Sequence, residues 1–220
     1  MKTASGILCI AFCLFVGLPQ GKASGIICTS VAGNLVDNCG FETGDFTGWT
    51  LSGSDVPREL NYLYGVEGTD TFDGISPNGG SYQAYFADLV ASATTISQTL
   101  ATSAGASYTV SWYLVQDTAI IAPYSNEFSA SFNGVSLVSL SAMPVEGYTE
   151  YTYTGTASGS STVLSFTLGN DVGEYLLDDV SVAPESSSST PEPATWELAL
   201  GGAVLALVFH RKRTARGAAL

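Results

Sequence analysis

Between Asn34 and Ala183 apolar and polar residues alternate over short runs, and no stretch holds a period of 3.6. The clearest run is Tyr108 to Val115, where Tyr108, Val110, Trp112 and Leu114 fall on every second position and so on one face of a strand. Similar runs predict strands over 82–87, 94–100, 127–132, 136–140, 149–156, 161–168 and 175–182. Gly, Ser, Asn and Asp separate them, and Asn133-Gly134 is a hairpin signal. About eight short strands and no helical period predict an all-β domain. The expected fold is a two-sheet β-sandwich of the jelly-roll kind, one domain over 34–183.

The pattern changes at both ends. Met1 to Ala23 joins Lys2, an apolar stretch from Ile7 to Leu18 and small residues at Gly21 and Ala23, which reads as a secretory signal peptide cut after Ala23. Cys28 follows Gly-Ile-Ile, which lacks the small residue a lipoprotein site needs before its Cys. Residues 24–33 are a lead into the domain, and the Ser-rich stretch 184–190 is a flexible spacer. Then come Pro191, Glu192 and Pro193, an apolar run from Leu198 to Phe209, and the basic residues Arg211, Lys212, Arg213 and Arg216. The run is shorter than the roughly 20 residues of a comfortable span. A helix over 194–209 with basic residues after it would leave the domain outside the membrane. An ordinary anchor is one reading. The triplet, short apolar helix and basic end, in that order over 191–216, resemble the PEP-CTERM sorting signal of Gram-negative bacteria. The resemblance implies an exosortase-type enzyme as partner and a passage through the inner membrane, transient or permanent, to the cell surface.

Charge narrows the chemistry. The chain carries −13 overall, but most positive charge sits in the two end segments. Between them Arg58 alone faces eighteen Asp and Glu, which leaves −17. Nucleic acid and anionic lipid are poor partners for such a surface. The one histidine, His210, is in the tail. Ser-His-Asp, Cys-His and His-ligated zinc chemistry are therefore excluded from the domain. Cys28 and Cys39 remain after signal removal, and in an exported chain they are expected to pair. Two free thiols are the alternative.

The stretch from Asn34 to Trp49, which contains Asn38-Cys-Gly-Phe-Glu-Thr-Gly, and the stretch Tyr175-Leu-Leu-Asp-Asp-Val-Ser-Val182 resemble the two ends of galactose-binding-like jelly rolls, among them carbohydrate-binding modules. Ile96 to Leu100 and Tyr108 to Trp112 are similar to that family's central strands. The resemblance implies that the ends meet as neighbouring strands around a structural calcium. Its side-chain ligands would be Glu42 and Asp178, with Asp179 as alternate. Ca²⁺ takes six to eight oxygens at about 2.3–2.6 Å, and carboxylates with backbone carbonyls supply them. Asp70 and Asp73 read as part of a turn-rich loop.

Trp49 and Trp112 are expected in the core. By alternation Tyr113 points away from Trp112 and Tyr85 away from Phe86. Tyr85, Tyr113 and the loop residue Tyr124 are the candidates for stacking on a sugar; Tyr62 and Tyr64 also stand in loop-like stretches. The function expected is non-catalytic: an exported surface protein associated with extracellular polysaccharide. The alternatives are a structural surface or biofilm component without a small ligand, and a glycoside hydrolase using paired carboxylates such as Glu146 with Glu150 or Asp171 with Glu174.

Overall fold

The computed structural model describes residues 28–53, 63–70 and 74–185. The signal peptide, the tail 191–216, most of the spacer 184–190, and Arg58, Tyr62 and Asp73 lie outside them. The described residues contain ten strands, two short 3₁₀ turns and no α-helix. The eight expected strands are β3 (Gln83–Phe86), β4 (Thr94–Ala101), β5 (Ser107–Gln116), β6 (Asn126–Phe132), β7 (Val135–Ser141), β8 (Glu146–Thr156), β9 (Ser161–Asn170) and β10 (Tyr175–Pro184). Two shorter ones, β1 (Thr50–Ser52) and β2 (Tyr64–Glu67), were not legible because three or four residues cannot establish a period.

The strands form two five-stranded antiparallel sheets, ordered β1-β4-β9-β6-β7 and β2-β3-β10-β5-β8, in a jelly-roll sandwich. Alternation decides which residues meet between them. From β5 the buried side chains are Tyr108, Val110, Trp112 and Leu114, and from β9 they are Leu164, Phe166 and Leu168. Trp112 is the centre of this core. It stacks on Tyr151 and Tyr153 at centroid distances of 5.8 and 5.5 Å and meets the edge of Phe166 at 5.2 Å. Truncating it to Ala would cost about 3–5 kcal/mol. Trp49 is also core, stacked on Phe41 at 5.7 Å.

Residues 28–33 of the lead are tied to the domain. Cys28 is buried, is bonded to Cys39, and its N–H donates to Asp179 at 2.8 Å. Leu35 donates to the Val182 carbonyl at 2.9 Å, so the two ends of the domain meet.

The outer faces of the sheets differ. That of the β4-β9-β6 sheet is largely hydroxyl, with Thr95 paired to Thr167 at 2.7 Å and Ser131 to Ser165 at 2.8 Å. That of the β3-β10-β5 sheet carries tyrosines and carboxylates. On β10 every residue from Tyr175 to Val182 is buried, although the strand has two faces. One side is core, and the loop 74–82 comes against the other, donating from Gly79 N to Asp178 at 3.1 Å. A bulge between Asp178 and Ser181, with Asp179 at φ 50°, leaves Asp178 on the outer side and returns Val180 to the core.

Candidate functional site

The outer face of the β2-β3-β10-β5-β8 sheet gathers most of the chemistry. Gly65 on β2 lies opposite Tyr85 on β3, and Glu67 lies opposite Gln83. Leu176 follows Tyr85 across the sheet, and Asp178 stands opposite Tyr113, which in turn faces Glu150 on β8. Tyr85 and Tyr113 therefore share this face, on either side of β10. Both are half-buried. A Cβ added at position 65 would lie 2.6 Å from Cε1 and Oη of Tyr85, so the ring rests over the glycine. Burial, and then Glu67 and Glu174, push the Tyr85 phenol above its ordinary pKa. Burial and Glu150, which hydrogen-bonds it, do the same for Tyr113. Both phenols are neutral donors at physiological pH.

Beside Tyr85 three carboxylates converge. Glu67, Asp70 and Glu174 each place an oxygen within 4.8 Å of the others. Asp70 and Glu174 are buried. Glu67 is held above the usual carboxylate range by burial and by Asp70. No Lys, Arg or His occurs among the described residues, so no basic side chain among them neutralises the trio. Oxygen ligands at this spacing suit a hard cation such as Ca²⁺. The alternation pattern does not reveal the trio, because its members come from a short strand, a loop and the residue before β10.

The carboxylates implied by the family resemblance stand elsewhere, around the loop 78–82. Glu42 accepts from Ser81 N at 2.8 Å and Tyr82 N at 3.0 Å. Asp178 accepts from Gly79 N and, at 2.7 Å, from Asp179 N. Asp179 accepts from Cys28 N and, at 2.9 Å, from Asn78 Nδ2. These side chains fasten the loop and the N-terminal segment to β10. Asp178 is fully buried, and burial followed by the neighbouring Asp179 raises its pKa to about 8. Burial also raises Asp179. Tyr148 crosses the same region, donating to Gln83 Oε1 at 2.7 Å, and Gln83 Nε2 donates to the Ile75 carbonyl at 3.1 Å.

Other candidates separate. Tyr124 is exposed, in the loop between β5 and β6, and its neighbour Ser125 donates to Asp171 at 2.9 Å. Asp171 also accepts from Val90 N at 3.0 Å. It ties loops together and lies below its ordinary pKa, the Ser125 N–H being the main cause. Glu146 accepts from the Tyr151 hydroxyl at 2.7 Å, while Glu150 faces Tyr113.

No family model and no curated protein matches the chain. Solved structures resemble it. One is a family 61 carbohydrate-binding module in complex with β-1,4-galactotriose, at 18% identity and TM-score 0.46, covering 69% of this chain and 99% of that one. Another is the enzymatically active domain of tailspike protein 4 of bacteriophage CBA120, at 17% identity and TM-score 0.48. It covers 69% of this chain, which spans 21% of the tailspike chain. A third comprises the CBM22-1 and GH10 modules of a Clostridium thermocellum xylanase with xylohexaose. There identity is 14% and TM-score 0.46, with 70% of this chain and 29% of that one covered. Likenesses this distant carry neither ligand nor mechanism.

Proposed function

We propose that the protein is an exported, non-catalytic surface protein that holds neutral polysaccharide on the outer face of the β3-β10-β5 sheet. The observation that carries the reading is Tyr85 resting over Gly65, on a face that also presents Tyr113 and Glu150. A half-exposed ring offers an apolar surface to sugar C–H groups. Neutral phenols and carboxylates beside it supply directional hydrogen bonds to hydroxyls. The −17 domain favours an uncharged glycan over an acidic one. In this reading Pro191, Glu192, Pro193, Arg211, Lys212 and Arg213 are read by an exosortase-type enzyme, which delivers the domain from the inner membrane to the surface.

Calcium completes the proposal. The favoured site is Glu67, Asp70 and Glu174, where oxygens converge without basic side chains. The second is the set Glu42, Asp178 and Asp179, whose oxygens already accept N–H donors.

The test is retention of the full-length chain on the producing cell's exopolysaccharide, for the native protein and for Tyr85→Ala and Tyr113→Ala. Loss in both variants with unchanged Tm supports the reading. Absence of retention by the native protein on any neutral polysaccharide overturns it and leaves a structural surface component. A hydrolase reading would use the same trio, whose oxygens lie within 4.8 Å of one another, as a pair of carboxyl groups acting on one glycosidic bond. Release of reducing ends that Glu67→Gln abolishes would establish that instead.

A further inference from the structure

The chain contains two Asn-Gly pairs, Asn78-Gly79 and Asn133-Gly134. In such a pair the backbone nitrogen of the glycine can attack the Asn side-chain carbonyl carbon, because glycine has no side chain to hinder the approach. The fold puts the two pairs in opposite settings.

Asn133-Gly134 is the tip of the β6-β7 hairpin. Phe132 and Val135 form the last ladder pair before it. Both tip residues take left-handed backbone angles, φ 57° at Asn133 and φ 72° at Gly134. Primed hairpin turns have this geometry and favour Asn followed by Gly. The N–H of Asn133 donates to the Val163 carbonyl at 2.9 Å, which anchors the residue on its N-terminal side. Gly134 is exposed, and a Cβ there would meet nothing within 4 Å. The peptide between the two residues therefore has room to rotate, and water reaches it. The side-chain amide is also oriented. Ser158, exposed on the β8-β9 connection, donates its hydroxyl to Asn133 Oδ1 at 3.0 Å. A donor on that oxygen polarises Cγ and stabilises negative charge that develops there during attack.

Asn78-Gly79 is fixed at both nitrogens the reaction uses. The attacking nitrogen, Gly79 N, donates to Asp178 at 3.1 Å, and the leaving one, Asn78 Nδ2, donates to Asp179 at 2.9 Å. Gly79 is buried, and so are both acceptors. Ring closure would break both hydrogen bonds and take those donors from two buried carboxyl groups, which is costly.

We propose that Asn133-Gly134 is a self-modifying site, converted through a succinimide to aspartate and isoaspartate with assistance from Ser158, and that the fold spares Asn78-Gly79. The Gly134 nitrogen gives its proton to water and bonds to Cγ of Asn133. The Cγ–Nδ2 bond then breaks, and the side-chain nitrogen takes a proton from water and leaves as ammonia. A water molecule next adds to either carbonyl of the ring and opens it. Opening on one side gives aspartate. Opening on the other gives isoaspartate, in which the main chain runs through the side-chain methylene. The sum is amide plus water to acid plus ammonia, with no oxidation or reduction. Aspartate keeps the length of the turn and an oxygen for Ser158. Isoaspartate lengthens the backbone between Phe132 and Val135, and so loosens the ladder at this end of the hairpin. The turn belongs to the sheet that does not carry the proposed glycan face.

The test incubates the full-length chain for weeks at neutral pH, folded and in urea, and follows both pairs by peptide mapping that separates Asn, Asp and isoaspartate. In the folded chain conversion at Asn133 should be at least about tenfold faster than at Asn78, since loss of even one buried hydrogen bond slows a step that much. In urea the two rates should become equal. Ser158→Ala should slow conversion at Asn133 about threefold, as loss of one exposed neutral hydrogen bond does, with Tm unchanged. The isoaspartate fraction should show faster amide exchange over 135–141 than the unconverted chain. Absence of conversion at Asn133, conversion at Asn78 as fast as at Asn133 in the folded chain, or faster conversion in Ser158→Ala would each overturn the inference.

Discussion

Gly65 and Tyr85 are opposite residues on β2 and β3, and the missing side chain of one makes the resting place of the other. The pair fixes where the Tyr85 ring lies. Gly65→Ala must displace the ring, because a Cβ would come within 2.7 Å of three of its atoms. The expected outcome is roughly a tenfold loss of affinity for neutral polysaccharide, equivalent to about 1.4 kcal/mol, measured by affinity electrophoresis. The loss in Tm should be a few degrees at most, since Tyr85 is only half-buried. Unchanged affinity in Gly65→Ala would remove Tyr85 from the binding face.

Asp178 sets a pH dependence of unusual sign. Its pKa in the folded protein is about 8, against an ordinary carboxylate value when unfolded. The folded state therefore holds a proton that the unfolded chain has released. Its contribution to stability is fully present below about pH 4 and is lost as pH rises through about 8. Asp179 and Glu67 shift in the same direction through burial. Asp45 and Asp171 shift the opposite way, but both are exposed to solvent screening and weigh less. Tm should therefore rise on going from pH 8 to pH 5. Asp178→Asn should flatten that rise, and a wild-type Tm independent of pH over this range would refute the assignment.

The disulfide links Cys28 to Cys39 across a separation of 11 residues. Closing a loop of that size in the unfolded chain is worth about 3 kcal/mol. Reduction should lower stability by about that amount in a urea titration. It should also loosen the Cys28 N–H bond to Asp179, and so affect the segment that covers β10.

How much was legible follows from which residues repeat. β5 announced itself because Tyr108, Val110, Trp112 and Leu114 are all large and all inward, and the same alternation sent Tyr113 and Tyr85 outward. The expectation of an exported chain, in which thiols pair, likewise anticipated Cys28 with Cys39. The carboxylate trio was not legible. Asp70 belongs to a turn-rich loop, Glu67 to a four-residue strand and Glu174 to the approach to β10, and only the sheet order β2-β3-β10 brings them together. Asp178 and Asp179 show the reverse: a motif singled them out, yet each carboxylate is engaged by backbone or Asn78 donors.

Calcium separates these two sets of acids. If the ion binds at Glu67, Asp70 and Glu174, it relieves like-charge repulsion between carboxylates that have no basic neighbour among the described residues. Binding to the folded state alone stabilises by about 2.7 kcal/mol at a hundredfold excess over Kd. Tm should then rise with added Ca²⁺ and fall with EDTA, and the rise should vanish in Glu67→Gln while surviving in Glu42→Gln. The opposite pattern would place the ion at the loop 78–82, where Glu42 now accepts from Ser81 and Tyr82. Calcium at the trio should also lower the pKa of Glu67, since a bound cation favours the ionised carboxylate over the protonated one that burial and Asp70 favour without it. A Tm indifferent to both EDTA and excess Ca²⁺ would leave the trio as carboxyl groups beside Tyr85 with no role for the ion.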